Sequence, residues 1–161
     1  MIFGSFPLDA ALGTVVAHSH RLEGRVLKKG TVLDEAAVEA LRAAGRQSVI
    51  AARLEPGDVG ENEAAEILAH AVHGAGLAAG RAGTGRVNLH ADAPGLLLVD
   101  RAQVDRINLL HESLTFGTLP DATVVAARDM VATIKVIPFA VAGAVLREVE
   151  TLLRDGTPPL T

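Results

Sequence analysis

The chain contains no cysteine, tryptophan or tyrosine, and each absence removes a class of chemistry. Without thiols there are no disulfides, thiolate metal sites or cysteine nucleophiles, a composition that fits a reducing compartment. Four phenylalanines are the whole of the Phe, Trp and Tyr content, so there is no aromatic platform on which bases would stack. No lysine- or arginine-rich run occurs and the formal net charge is -4, which argues against broad electrostatic binding to nucleic acid. There is no apolar run of the roughly 18 residues a membrane helix needs. The opening MIFGSFPLD also lacks the basic, then continuously apolar, make-up of a signal peptide. Together these absences predict a cytoplasmic chain that binds neither membrane nor nucleic acid.

What is present is aliphatic. Alanine, valine, leucine and isoleucine supply most of an apolar fraction of 49%, enough to pack a core in 161 residues, as one domain or as two small subdomains. Residues 11–17 are small and β-branched and read as a strand leading into His18-Ser19-His20, with a bend at Glu23-Gly24 and a short strand at 25–27 able to pair back. Asp34 is placed to cap a helix with the stripe Ala37, Val38, Leu41 and Ala44, and Gly45 stops it. Residues 48–53 read as a strand, 55–58 as a turn, and 61–73 as an amphipathic helix ended by Gly74 and Gly76.

Strands follow at 86–90 and 96–99, separated by a turn at 92–95. Asp100 caps a helix carrying Val104, Ile107 and Leu110. Strands at 114–119 and 130–137 precede Pro138, and a closing helix lined by Val145, Leu146, Val149, Leu152 and Leu153 runs up to Asp155-Gly156. The expected class is therefore α/β or α+β, with mixed sheets and about four amphipathic helices. Residues 1–156 form the folded region and residues 157–161, with two prolines, a linker-like tail.

Gly80-Arg81-Ala82-Gly83-Thr84-Gly85-Arg86 is the segment with the most chemistry. Glycines permit positive φ and can turn successive N–H groups into one concavity, and guanidinium groups are forked donors matched to phosphate. The same Gly-Thr-Gly also serves as an ordinary hairpin turn, with the arginines as ordinary surface residues. Lys135 lies inside the apolar run VATIKVIPF, where an ammonium must snorkel, pair or meet a ligand, the last making it a second phosphate contact beside Arg81 and Arg86. Asn88, on the strand leaving the loop, is able to bond a ligand heteroatom or the nearby backbone. The candidate ligand-binding set is Arg81, Gly83, Thr84, Gly85, Arg86, Asn88 and Lys135.

Six histidines raise the question of a metal. The best set, His18-Ser19-His20 with His90-Ala91-Asp92, needs two distant segments to meet, and His70 with His73 reads as a solvated helix end; no metal is expected. Ser19 has histidines on both sides, but neighbours on a strand face opposite ways. With no G-x-S-x-G elbow and no P-loop, no catalytic set is expected.

Four blocks carry a family resemblance: LGTVVAHSHRLEGRVLKKGTVLDEAAVEALRAAG, VIAARLEPGDVGENEAAEILA, GTGRVNLHADAPGLLLVDRAQVDRIN and TLPDATVVAARDMVATIKVIPFAV. Across residues 5–150 the chain resembles the N-terminal region of bacterial molybdopterin-binding proteins related to molybdopterin molybdenumtransferase. The resemblance implies a role in molybdenum cofactor biosynthesis, with molybdopterin, a phosphorylated pterin, as the cofactor. In that family a Mog-like α/β domain carrying the T-G-D-E and S-G-G-x-S motifs follows such a region. Neither motif occurs here, so the family's catalytic residues have no counterparts, and the chain is expected to be an accessory portion preceding such a domain. A homodimer or a tight contact with the following Mog-like domain is expected, and the alternative function is a structural or dimerisation module that presents that domain without a ligand of its own.

Overall fold

Two hydrophobic cores form from this aliphatic sequence. A computed structural model describes residues 1–154 and 156–161 and divides into two compact units, Met1–Pro56 and Gly57–Thr161, each with its own core. The sequence reading left one domain or two subdomains open; the division falls in the turn expected at 55–58, where Gly57 has φ +91°. The α/β mixture is as expected. Among the described residues there are four α-helices, and every paired strand is antiparallel.

In the first unit, β1 (Ile2–Pro7), β2 (Val15–Val16) and β5 (Ser48–Arg53) form a three-stranded sheet with β5 central. A hairpin of β3 (His20–Leu22) and β4 (Arg25–Leu27) turns at Glu23-Gly24, with Gly24 at φ +74°. Helix α1 (Glu35–Ala43) starts where the Asp34 carboxylate accepts the Ala37 N–H at 2.7 Å. It buries Ala37, Val38 and Leu41 against Phe6, Leu27, Leu33 and Val49, whereas Ala44, expected on the stripe, is exposed beyond the last turn. The expected strand over 11–17 shrinks to Val15–Val16. Leu8–Ala10 form a 3-10 turn, the Thr14 hydroxyl bonds the Ala11 carbonyl at 2.6 Å, and Gly13 has φ +76°, so the chain is bent where small β-branched residues alone read as extended.

The second unit contains β6 (Asp58–Gly60), α2 (Glu61–Val72), β7 (Leu77–Ala79), β8 (Arg86–Ala91), β9 (Gly95–Leu97), α3 (Arg101–Leu110), β10 (Leu114–Thr118), β11 (Thr123–Val125), β12 (Met130–Val136), β13 (Ala140–Ala142) and α4 (Gly143–Leu153). Its main sheet has the order β10-β12-β8-β7, and β9–β11 and β6–β13 are two-stranded ribbons. One face of the main sheet, with Val87, Leu89, Ile134, Val136, Leu114 and Phe116, is buried. Helix α2 lies on β8 and β12, α3 lies on β10, and α4 packs against both helices. The outermost strand β10 is tied by one side chain: Asn108 donates from Nδ2 to the Phe116 carbonyl at 2.8 Å and accepts the Phe116 N–H at 2.7 Å. Its paired backbone groups are thereby satisfied where the sheet stops.

The linker-like tail is a correction. Leu160 is fully buried, its N–H bonds the Val72 carbonyl at 3.2 Å and its carbonyl accepts the Gly74 N–H at 2.8 Å, while Thr161 and Leu98 exchange backbone bonds. A Cβ on Gly74 would lie 2.8 Å from the Thr161 methyl and 3.3 Å from the Leu160 carbonyl oxygen, so the tail lies close against the chain there. Prolines that cannot extend a helix thus serve here in a docked, extended segment. The last helix ends at Leu153; Asp155, named in its expected stop, lies outside the described residues.

Candidate functional site

The glycine-arginine loop joins β7 to β8. Gly83 and Arg86 exchange two backbone bonds, 3.0 and 3.1 Å, around Thr84 (φ +49°) and Gly85 (φ +70°), a two-residue hairpin turn with the positive φ at both central positions that type I′ requires. The Gly80 N–H goes to the Asn88 carbonyl at 2.8 Å and the Gly85 N–H to Asn62 Oδ1 at 2.9 Å. The N–H groups of Gly80, Gly83, Gly85 and Arg86, four of those expected to line an anion concavity, are therefore already bonded within a hairpin turn. Gly85 is required twice over: besides its φ, a Cβ there would stand 2.5 Å from the Val136 carbonyl oxygen. Gly83 has no such constraint. Arg81 is exposed ahead of the turn, and no hydrogen bond or ion pair among the described residues links it to Arg86 or Lys135.

Three of the expected residues do converge, on the sheet. Because side chains alternate along a strand, burial of Val87, Leu89 and Ala91 puts Arg86, Asn88 and His90 on the opposite, outer face of β8. The register sets Lys135 directly across from Arg86, Thr133 across from Asn88 and Met130 across from His90, with a bulge between Met130 and Ala132. Directly opposed positions hold Cβ atoms about 5 Å apart, so two basic side chains share one cross-strand slot. Neither has an ion-pair partner among the described residues. Beside them the Thr133 hydroxyl donates to Asn88 Oδ1 at 2.9 Å, which fixes the amide plane. Thr133 was missed in the sequence; the alternation of 131, 133 and 135 along VATIKV, matched to that of 86, 88 and 90, is the signal that carries it.

At the other end of the same strands lies an open cavity of about 240 Å³ lined by Gly117, Thr118, Leu119, Met130, Val131, Ala132 and Thr133. Gly117, across from Thr133 on β10, presents no side chain. A larger cavity of about 420 Å³, bounded by Val99, Val104 and Pro120, contains none of the expected residues, and its Arg101 pairs with Asp105 at 3.6 Å.

The histidines do not assemble. Among the described residues no group of three or more histidine, aspartate or glutamate side chains is arranged to hold a metal ion. His70 and His73 have ring centroids 5.9 Å apart at the end of α2. Ser19 accepts the Lys29 N–H through Oγ at 2.9 Å. His20, whose Nε2 is buried without a partner, is held below the ordinary histidine pKa by burial first, then by the positive charges of Arg46 and His18.

Residues 5–53, most of the first unit, match DUF8806, a domain of unknown function. That match ends before the sheet that carries Arg86 and Lys135. No curated protein matches the chain, and no solved structure does. No helix among the described residues is long and apolar enough to cross a membrane.

Proposed function

We propose that the chain is an accessory domain of molybdenum cofactor biosynthesis, cytoplasmic like the proteins it resembles, that holds the phosphate of molybdopterin on the outer face of its four-stranded sheet. The observation that carries this reading is the Arg86–Lys135 cross-strand pair. Like charges directly opposite one another destabilise a sheet, and a bound phosphate reverses the sign of that interaction. Arg86 supplies a planar fork and Lys135 a point charge, the two cationic modes suited to a phosphomonoester. Asn88 offers a neutral donor farther along the same face, across from Thr133. The glycine turn contributes by fixing the start of β8, and so the register that opposes the two cations. The chemistry is positioning, with catalysis left to a following Mog-like domain.

Calorimetric titration with a 6-(phosphooxymethyl)pterin tests this reading. Replacing Arg86 by alanine is expected to weaken binding by about 1.5–3 kcal/mol, the range for a charged hydrogen bond, with the melting temperature unchanged or slightly raised as repulsion is relieved. Absence of any binding heat in the unmodified protein sinks the proposal.

A second reading, a module that dimerises and presents its neighbour without a ligand, draws on the β9–β11 ribbon. Leu96 and Val124 stand opposite each other and are 53% and 82% exposed, an apolar pair on an outward surface.

A further inference from the structure

The outer sheet face has a direction, and it extends the phosphate site into a site for a particular class of ligand. Along β12, Lys135 marks the cationic end, Thr133 the middle and Met130 the far end, and each is matched on β8 by Arg86, Asn88 and His90 in turn. Strand residues rise about 3.4 Å each, so Thr133 lies about 7 Å from the cation pair and the cavity begins there. Thr133 belongs to both features: its hydroxyl fixes Asn88, and its side chain lines the 240 Å³ cavity. With Asn88 Oδ1 already taken by that hydroxyl, its Nδ2 hydrogens remain to donate. The floor of the cavity at Gly117 is bare backbone, and Leu119 and Met130 add apolar walls.

We infer that this face takes one flat, ring-bearing phosphomonoester in a fixed orientation, with the phosphate between Arg86 and Lys135, a ring acceptor on Asn88 Nδ2, and the ring over Gly117 against Met130. The inference rests on the phosphate reading above and adds a selectivity that the cation pair alone lacks. A phosphate without a ring meets only the cations. A ring without a phosphate meets only a shallow, largely apolar seat and one amide. The cavity is of single-ring or fused-ring size, smaller than the pockets that enclose drug-sized ligands.

Gly117 makes the test clean. It is a strand position with ordinary φ, and a Cβ there would make only van der Waals contact with the Thr133 methyl at 3.8 Å, so Gly117→Val fills the seat without straining the backbone. Dissociation constants are measured for three probes, methyl phosphate, 6-(phosphooxymethyl)pterin and 6-hydroxymethylpterin, against the unmodified chain, Gly117→Val and Lys135→Gln. The unmodified chain is expected to bind the phosphopterin about tenfold more tightly than methyl phosphate, and Gly117→Val to erase that preference while leaving methyl phosphate affinity within about twofold. Lys135→Gln is expected to weaken both phosphates. Should Gly117→Val fold poorly, nuclear Overhauser contacts between the pterin ring proton and the Met130 methyl group in the unmodified protein provide the same information. Equal affinity for the two phosphates, an unchanged preference in Gly117→Val, or no contact to Met130 overturns the ring seat and leaves the phosphate site standing. Binding of neither phosphate overturns both.

Discussion

Thr84 sits at φ +49°, a backbone region that β-branched residues seldom adopt, and no conformational reason for threonine is visible beyond its short hydroxyl bond to the Gly83 carbonyl at 2.8 Å. Asparagine tolerates that region far better and precedes glycine in most type I′ hairpins. Thr84→Asn is therefore expected to stabilise the second unit by about 0.5–1 kcal/mol, read as a higher urea midpoint at unchanged slope; a lower midpoint would contradict the turn assignment. His20 supplies the pH dependence. Its folded pKa lies below the ordinary 6.5, so the unfolded chain takes up the proton at higher pH than the folded unit does. Stability from this group is present above about pH 6.5 and declines as pH falls through that value and on towards the folded pKa. Melts of the chain and of His20→Gln across pH 7 to 5 check the sign, because the substitution should flatten the decline. At this scale the sequence showed which side chains were unusual, Lys135 above all, but not that glycine N–H groups would be used up inside a turn. A hydrogen-bond partner such as Asn62 is distant in sequence and leaves no local mark.

Among the elements, legibility followed the signals. Helices α1 and α3 were marked by Asp34 and Asp100, whose carboxylates do accept from Ala37 and Gln103, and the long strands β5, β8 and β12 were marked by apolar alternation. Of the three-residue strands, β4 and β9 were flagged by the bend and turn beside them, whereas β6, β7, β11 and β13 were missed because too few positions exist for a period to show; β13 and β6 hold together through the pairing of Ala140 with Gly60 and its neighbours, not through propensity. Strand β1 was hidden for a related reason, since Gly4, Ser5 and Pro7 are poor strand formers made extended by a six-pair ladder with β5. The edge strand β10 offers the sharpest test at this scale. Asn108→Ala removes both side-chain bonds to Phe116, and loss of a half-buried bonded pair is expected to cost about 1–3 kcal/mol, with faster exchange of the Phe116 amide than of its neighbours on β12. Uniform exchange across β10 would show that the edge needs no such tie.

For the whole molecule, the division at Pro56–Gly57 and the Leu96–Val124 ribbon bear on assembly. Light scattering at micromolar concentration should give a dimer mass that reverts to about 17 kDa in Val124→Asp, because a charge at the centre of an apolar contact is left unpaired on association. A monomer in the unmodified chain would set aside the second reading without touching the first. The two-unit arrangement was left undecided by the sequence because alanine-rich segments read alike in either core, and only long-range contacts sort them. The docked tail has a further consequence, for the order of synthesis. The first unit has its complete set of core residues once residue 56 has been made. The second cannot close until Leu160 arrives to fill its place beside Val72 and Val99, so about a hundred residues with an unfinished core wait on it. On the ribosome this chain should fold in two separated events, the second only after Leu160 has emerged, and that interval is when it most needs shielding by chaperones.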